Sequence, residues 1–264
     1  MKKIQLFITI FFALVAFTVS AEADLVTIIH GLPALPGALP SNNPVDIAID
    51  GVCEHFYQPY GAKLGPKVFE AGKHTFIFYE SIPDDPCRGF VLAAIEVDLD
   101  TDDEIDVVLH LNSEDEVIAG IWDNTTALDV VDCGVETAIE VRNAAAGPTL
   151  GAVVKKGNDK VNGDVKNGGT FGPIKTTGGD HILQIRNGSE VLDQDTDDLK
   201  KERVYWVYIT GSVDKKTVNI LNIESVPDEA LEGEIPSKHR KWLRKPFKNW
   251  SPRHHKIRSN PANQ

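Results

Sequence analysis

Aspartates at alternate positions occur twice in this chain, and they are the residues whose spacing best suits metal chemistry. The first run reads Val97-Asp98-Leu99-Asp100-Thr101-Asp102-Asp103, and the second, ninety-five residues later, reads Leu192-Asp193-Gln194-Asp195-Thr196-Asp197-Asp198. A calcium-binding loop begins with hard oxygen ligands at its first, third and fifth positions. Calcium is therefore a candidate cofactor, with Asp98, Asp100, Asp102, Asp193, Asp195 and Asp197 as its ligands.

The rest of a calcium loop is missing from both runs. The sixth position is an aspartate instead of the turn glycine, and the twelfth is Leu109 or Val204 instead of a bidentate glutamate. The other interpretation is a polar turn between two strands, with the carboxylates in water and the following apolar run in the core. The sequence favours the turn, and the duplication keeps calcium as the second interpretation.

Other catalytic signatures are missing from the sequence. It contains no G-x-S-x-G elbow, no H-E-x-x-H, no P-loop and no dinucleotide fingerprint. His74 and His181 occupy equivalent places after a turn, and we expect them to be structural, like His30 and His110. We predict that the protein is not an enzyme. An envelope hydrolase that uses body carboxylates is the alternative, although no carboxylate pair stands out.

Three cysteines, Cys53, Cys87 and Cys133, allow one disulfide and leave one thiol in an oxidising compartment. Cys53 and Cys87 both fall within the first repeat, whereas Cys133 lies in the connection to the second. The sequence therefore favours a Cys53–Cys87 disulfide, and a bond between Cys87 and Cys133 is the alternative.

The N-terminus has the pattern of a secretory signal peptide over residues 1–21. Lys2 and Lys3 precede an apolar run at residues 4–19, and small residues follow it. Cleavage after Ala21 or Ala23 would remove the only segment near membrane-spanning length. We predict a secreted or periplasmic protein with no transmembrane segment after cleavage.

The charge of the chain is divided between an acidic body and a basic tail. The whole chain carries −12, the residues from Ser237 onward +9 and the signal peptide +2, so residues 22–236 carry −23. Nucleic acid and anionic membranes are themselves negatively charged. The body is therefore not expected to bind them.

The basic tail interleaves cations with aromatic residues, which suits binding to polyanions. Candidate partners are lipopolysaccharide, an anionic envelope glycan, extracellular nucleic acid, an anionic membrane or a protein. Pro246 and Pro252 exclude one continuous amphipathic helix. The alternative is a flexible tail that folds back on the acidic body. The predicted binding residues are Lys238, Arg240, Lys241, Trp242, Arg244, Lys245, Lys248 and Trp250.

Short β-branched or alternating runs separated by Gly, Pro, Asn and Asp predict strands. They lie at residues 25–30, 45–50, 75–80, 90–99, 105–111 and 117–122, and again at 137–142, 150–155, 180–186, 203–210 and 218–223. The Gly72-Lys73-His74 motif recurs at Gly179-Asp180-His181 with an offset of 107. The offset falls to 95 at the aspartates, so the first copy contains twelve extra residues, which we place in a surface loop at residues 81–89.

These elements predict an all-β fold of two tandem immunoglobulin-like β-sandwich domains. Domain 1 spans residues 24–124 and domain 2 spans residues 135–226. Residues 227–264 are predicted to form an acidic linker and a disordered basic tail.

Four short motifs also resemble a known family. In order they are His30-Gly31-Leu32-Pro33, Val45-Asp46-Ile47-Ala48-Ile49-Asp50-Gly51, Tyr60-Gly61 and Glu70-Ala71-Gly72-Lys73-His74-Thr75-Phe76. They are similar to the H-A-S-P, V-D-V-Y-V-D-G, F-G and L-P-A-G-x-Y motifs of the bacterial secreted domain of unknown function family 4397. The resemblance covers residues 24–124, with a degenerate second copy at residues 135–226. It implies an immunoglobulin-like sandwich in an envelope or extracellular protein and brings no catalytic residues.

The leading hypothesis is therefore an exported, non-enzymatic binding or structural module of the cell envelope. A calcium-stabilised adhesion-type module that uses the two aspartate runs is the alternative.

Overall fold

A computed structural model describes residues 24–33, 44–100, 104–132, 137–224, 226–227 and 242–243. The predicted signal peptide, Asp102, Cys133 and the tail residues other than the backbone of Trp242 and Leu243 lie outside the described residues. Within the described residues the chain is almost entirely β-strand, with one short helix.

Each half of the chain contributes eight strands. The first half contains β1 (Asp24–His30), β2 (Val45–Ile49), β3 (Val52–Gln58), β4 (Lys63–Phe69), β5 (Gly72–Glu80), β6 (Val91–Leu99), β7 (Glu104–Leu111) and β8 (Val117–Asp123). The second contains β9 (Thr137–Ala146), β10 (Leu150–Lys156), β11 (Asp159–Val165), β12 (Thr170–Thr176), β13 (Gly179–Asn187), β14 (Glu190–Leu199), β15 (Arg203–Ser212) and β16 (Asn219–Glu224). Helix α1 (Thr125–Asp132) joins the halves, and β17 (Val226–Pro227) pairs with β18 (Trp242–Leu243).

The two halves have the same topology, which confirms the predicted all-β fold of two tandem sandwich domains. Domain 1 consists of the sheets β4-β1-β7-β8 and β3-β2-β5-β6, and domain 2 of β12-β9-β15-β16 and β11-β10-β13-β14. In each domain the first strand pairs in parallel with the seventh, β1 with β7 and β9 with β15. The other described strand pairs are antiparallel, so each domain is a two-layer sandwich with a parallel pair at the centre of one sheet.

A third hydrophobic core joins the domains. In β7, Ile105, Val107 and Leu109 point into the core of domain 1. Val108, between them, belongs to a separate cluster with Trp206 of domain 2. Strands β1 and β9 are buried at every residue, which requires cover on both faces. The sheets β4-β1-β7-β8 and β12-β9-β15-β16 therefore pack against each other, and the molecule has four layers. Each copy thus has a core of its own, and the two copies share this third one.

The strand register corrects the alignment of the two aspartate runs. Gly72 lies opposite Leu99 in β5 and β6, and Gly179 lies opposite Leu199 in β13 and β14. Leu99 is therefore equivalent to Leu199, an offset of 100, and the match at 95 is out of register. Since the offset falls from 107 to 100, the first copy contains seven extra residues instead of twelve. Their predicted position is confirmed, because residues 81–90 connect β5 to β6.

A Gly-Pro pair in β4 and β12 is a repeat that the sequence analysis missed. Gly65-Pro66 and Gly172-Pro173 are both cis and stand at the offset of 107. A Cβ on Gly65 would lie 2.7 Å from a carbonyl oxygen of β1, and one on Gly172 would lie 2.8 Å from a carbonyl oxygen of β9. Only glycine fits this close approach of edge strand to central strand.

Candidate functional site

A buried carboxylate in domain 1 organises the surface that we regard as the candidate functional site. Asp46 alternates with the core residues Val45 and Ile47 along β2, so its side chain lies on the outer face of the sheet. It is nevertheless completely buried. Its carboxylate accepts hydrogen bonds from the Tyr57 N–H (2.8 Å), the Ser81 hydroxyl (2.7 Å) and the Cys87 N–H (2.9 Å). One side chain thus connects β2, β3 and the β5–β6 loop.

Two of these hydrogen-bond donors have a strained backbone. Tyr57 and Cys87 have φ values of 58° and 57°, which bulky L-residues rarely adopt. Such conformations persist where the surroundings over-determine them, and they concentrate at functional sites. Here Asp46 binds both N–H groups, and a disulfide joins Cys87 to Cys53 of β3, confirming the predicted pairing. The backbone of this region is therefore held in place by three independent constraints: the sheet, the carboxylate and the disulfide.

Four large exposed apolar side chains lie on β3 and the β5–β6 loop, the two segments that this carboxylate connects to β2. Phe56, Tyr57, Ile82 and Phe90 are 56%, 62%, 43% and 76% exposed, and we call them the apolar patch. Phe56 precedes Tyr57, Ile82 follows Ser81, and the Phe90 carbonyl accepts a hydrogen bond from the Glu80 N–H at 2.8 Å. Neighbouring exposed apolar side chains on a soluble protein mark a binding surface more often than chance.

The rim of the apolar patch carries net negative charge. Glu80, Asp84 and Asp85 are exposed beside it, and Arg88 is the basic residue of the same loop. The backbone of β3 is poorly suited to pair with a strand of a partner. The side-chain amide of Gln58 already donates to the Phe56 carbonyl at 2.8 Å, and the register between β2 and β3 is irregular. The surface therefore offers apolar side chains and acidic groups to a partner.

Domain 2 lacks this arrangement at the equivalent position. Ile49 lies opposite Phe76 and Val154 lies opposite Leu183, so the equivalent of Asp46 is Gly151. The β13–β14 connection consists of only two residues, Gly188 and Ser189, and no loop folds over the sheet. The apolar patch is thus a feature of domain 1 and is not a consequence of the repeat.

The second aspartate run lies on a strand, so the prediction of a turn is wrong there. Strand β14 pairs with β13 as far as Leu199, which places Asp193, Asp195 and Asp197 within the ladder. Asp193 accepts a hydrogen bond from the Ile220 N–H at 2.8 Å, and the side-chain amide of Asn222 donates to both Asp195 and Asp197.

The first aspartate run, unlike the second, does not lie on a single strand. Asp98 lies at the end of β6, Asp100 follows the strand, and Asp102 is outside the described residues. In the part of the chain that the structure describes, no group of three metal-ligating side chains comes together. Calcium binding stays a prediction.

The four histidines for which the sequence predicted a structural role make contacts within the protein. His30 and His110 are buried. His74 bonds Asp50 at 2.7 Å and the Glu70 carbonyl at 2.9 Å. His181, at the equivalent position of domain 2, instead contacts the Thr176 hydroxyl at 2.9 Å and the Gly179 carbonyl at 2.7 Å.

A buried ionic cluster crosses the domain interface. Arg142 of β9 contacts Asp106 of β7 at 3.0 Å, Glu140 at 2.6 Å, and the side-chain oxygens of Asn124 and Tyr208 at 2.8 Å each. Burial alone would lower the pKa of Arg142, but Tyr208, Asp106 and Glu140 raise it above its ordinary value. Arg142 thus stays charged, and its partners lie on both domains. The cluster therefore links β7 of domain 1 to β9 and β15 of domain 2.

Comparisons with known proteins identify no family for this chain. No protein-family model and no curated protein matches the sequence, so the resemblance to domain of unknown function family 4397 stays a prediction. Two crystal structures are similar, one from Bacteroides ovatus and one from Bacteroides uniformis, both assigned provisionally to cell adhesion. Their identities are 9% and 11% and their TM-scores 0.25 and 0.23, over 76% of this chain and 96% of each of those chains. Such values carry no argument about what this protein binds.

Helix α1 of the described residues has only eight residues. No helix in the described ranges is long and apolar enough to cross a membrane.

Proposed function

We propose that the protein is an exported, non-enzymatic binding module that recognises a partner through the apolar patch of domain 1. The observation that carries this proposal is the rigid presentation of four exposed apolar side chains, three of them aromatic, by Asp46 and the Cys53–Cys87 disulfide. Aromatic side chains are the usual anchors of protein interfaces. A surface that is already ordered loses less entropy on binding.

The location proposed for this module is the cell envelope or the extracellular space. A disulfide forms and persists in an oxidising compartment, which supports export. The predicted signal peptide and the resemblance to a secreted family point the same way. Binding of the basic tail to an anionic glycan, to lipopolysaccharide or to a protein is a separate prediction. A glycan array tests it by comparing the full chain with a protein that lacks the residues after Pro236.

Panning of a peptide library tests the apolar patch although the natural partner is unidentified. The protein cut after Pro236 is the bait, and the affinities of the enriched peptides are then measured. Phe56→Ser combined with Phe90→Ser should weaken them at least about tenfold, since aromatic anchors each contribute on the order of 1 to 2 kcal/mol.

The matched control is Val161→Ser with Val191→Ser, which removes two apolar side chains of domain 2 that are 44% and 45% exposed. Binding by this control should equal that of the parent. A library that yields no peptide, or peptides that bind the patch variant as well as the parent, would reject the proposed function.

A further inference from the structure

We propose that the C-terminal segment of this chain, residues 244–264, docks on the apolar patch of the same molecule. The inference rests on the proposed function, since it names an occupant for the same surface. Three observations support it: the chemistry of the segment, the position from which it departs and the charge of the body.

The chemistry of the segment complements that of the patch. Residues 244–264 contain six Lys or Arg and no Asp or Glu, and they include Phe247 and Trp250. The patch offers aromatic and aliphatic side chains inside a rim that contains Glu80, Asp84 and Asp85. Opposite charges bring the two together, and burial of aromatic rings against apolar side chains stabilises the contact.

The strands that precede the segment are connected to the patch through β4. Leu243 of β18 lies opposite Val226, and β17 follows β16 after one residue. At the end of β16 the Glu224 carbonyl accepts a hydrogen bond from Lys63 Nζ at 3.5 Å. Lys63 begins β4, which directly follows β3 and its exposed aromatic side chains. An extended chain covers about 3.3 Å per residue, so residues 244–250 can span roughly 20 Å from Leu243.

The charge of the body favours the tail over a second copy of the chain. Residues 22–236 carry −23, and the patch of a second copy has the same acidic rim. Association of two such surfaces would place like charges together. The basic segment removes this conflict, and its covalent attachment gives it an effective concentration in the millimolar range.

The test uses a labelled peptide of residues 237–264 added to the protein cut after Pro236. The three hydrophobic cores of the described residues contain no residue beyond Ile223, so the cut leaves them intact. Fluorescence anisotropy should show saturable binding with a 1:1 ratio. Phe56→Ser with Phe90→Ser should weaken it at least tenfold, and Val161→Ser with Val191→Ser should leave it unchanged. The uncut chain should bind the peptide at least tenfold more weakly, because its own tail occupies the site.

Several results would overturn this inference. They are the absence of saturable binding, equal affinity for the parent and the patch variant, and equal affinity for the cut and uncut chains. A cut protein that sediments as a dimer, and as a monomer with the patch variant, would assign the patch to a second copy instead. If panned peptides bind the patch while the tail peptide does not, this inference fails and the proposed function stands.

Discussion

At the scale of single residues, the apolar patch depends on Asp46. Asp46→Ala removes the acceptor of three hydrogen bonds and leaves two strained N–H groups, at Tyr57 and Cys87, without their partner. We expect the free energy of unfolding to fall by about 2 to 4 kcal/mol, since loss of a charged acceptor leaves buried donors unsatisfied. Urea denaturation followed by circular dichroism measures this loss.

The control for this substitution is Asp164→Ala, which changes an exposed aspartate of β11. Its effect should stay within about 0.5 kcal/mol. If the two variants were equally stable, Asp46 would not have the organising role described above.

His74 and Asp50 should stabilise domain 1 over a limited pH range. Burial alone would raise the pKa of Asp50, but hydrogen bonds from the Thr75 N–H and from His74 lower this pKa below its ordinary 3.8. Burial alone would lower the pKa of His74, but its bonds to Asp50 and the Glu70 carbonyl raise this pKa above 6.5. The two shifts stabilise the fold together in the pH range where Asp50 is ionised and His74 is protonated.

The contribution of His74 is complete below pH 6.5 and is lost as the pH rises through its folded pKa. That of Asp50 is present above pH 3.8 and is lost as the pH falls through its folded pKa. His74→Gln should therefore destabilise most between these limits, by up to about 1 kcal/mol because Asp50 is largely solvated, and less at about pH 8.5. Urea titrations at several pH values measure the difference.

At the equivalent position of domain 2, the pKa of His181 is shifted in the opposite direction from that of His74. Burial lowers its pKa below 6.5, so the folded state resists its protonation and the wild type loses stability as the pH falls. His181→Gln should gain stability relative to the wild type on acidification, whereas His74→Gln should lose it. The same pH trend in both variants would contradict the assignment.

At the scale of elements, the strands that the sequence predicted are those with an uninterrupted apolar character. Strands β1, β5 and β7 contain β-branched and aromatic runs that must be buried. Strands β3, β4, β11, β12 and β14 were missed, and all five lie at sheet edges, where solvent tolerates charges, Gly and Pro. The run Asp159–Val165, with its charges and a glycine, gives no strand signal of its own.

The candidate site was only partly accessible to sequence reasoning. The Cys53–Cys87 disulfide and the inserted loop could be inferred from the spacing of the cysteines and the repeat. The role of Asp46 could not, because its three partners lie 11, 35 and 41 residues away along the chain. The aspartate runs were more conspicuous but misleading, since their match is out of register with the fold.

Strand β14 should not respond to calcium. The Asn222 amide donates to Asp195 and Asp197 from the place where a cation between these carboxylates would sit. We expect thermal melts with millimolar calcium and with chelator to superimpose. A saturated site would raise the melting temperature, since a ligand held at 100 times its Kd stabilises a fold by about 2.7 kcal/mol. A clear upward shift with calcium, absent in Asp195→Asn, would restore the metal interpretation.

The disulfide connects β3 to the inserted loop, 34 residues apart, and should be important for stability. Replacing Cys53 and Cys87 by serine should lower the free energy of unfolding by about 2 to 4 kcal/mol. Under denaturing conditions, thiol titration of the unreduced protein should find one free thiol among the three cysteines. Three free thiols, or a Cys133→Ser variant that loses as much stability as the double variant, would contradict the pairing.

At the scale of the whole molecule, the four-layer stack was the largest feature that the sequence analysis did not anticipate. Alternating strands predict a sheet with one face in water, as in an isolated sandwich. The run Val204–Ile209 does not alternate, and β9 contains Glu140 and Arg142 within an otherwise apolar stretch. Only the first feature is typical of strands buried on two faces, because the alternation of Glu140 and Arg142 with apolar residues predicts a solvated face. The sheet that covers these charges is known only from the tertiary structure.

The shared core and the ionic cluster predict that the two domains unfold as one unit. Ile29, Val108 and Trp122 of domain 1 would be exposed if domain 2 unfolded alone, which makes partial unfolding costly. Differential scanning calorimetry should therefore show a single transition whose calorimetric and van't Hoff enthalpies agree.

Arg142→Leu tests the same coupling from within the interface. The substitution keeps an apolar side chain but leaves Asp106 and Glu140 buried without their cation, which costs about 3 to 5 kcal/mol. Because these carboxylates lie on different domains, the single transition should move to lower temperature and separate into two. Arg186→Leu, on the outer sheet of domain 2, is the matched control and should change stability by less than about 1 kcal/mol. If the wild type already shows two transitions, or if Arg142→Leu lowers the melting temperature no further than the control, the domains are independent and the cluster does not hold them together.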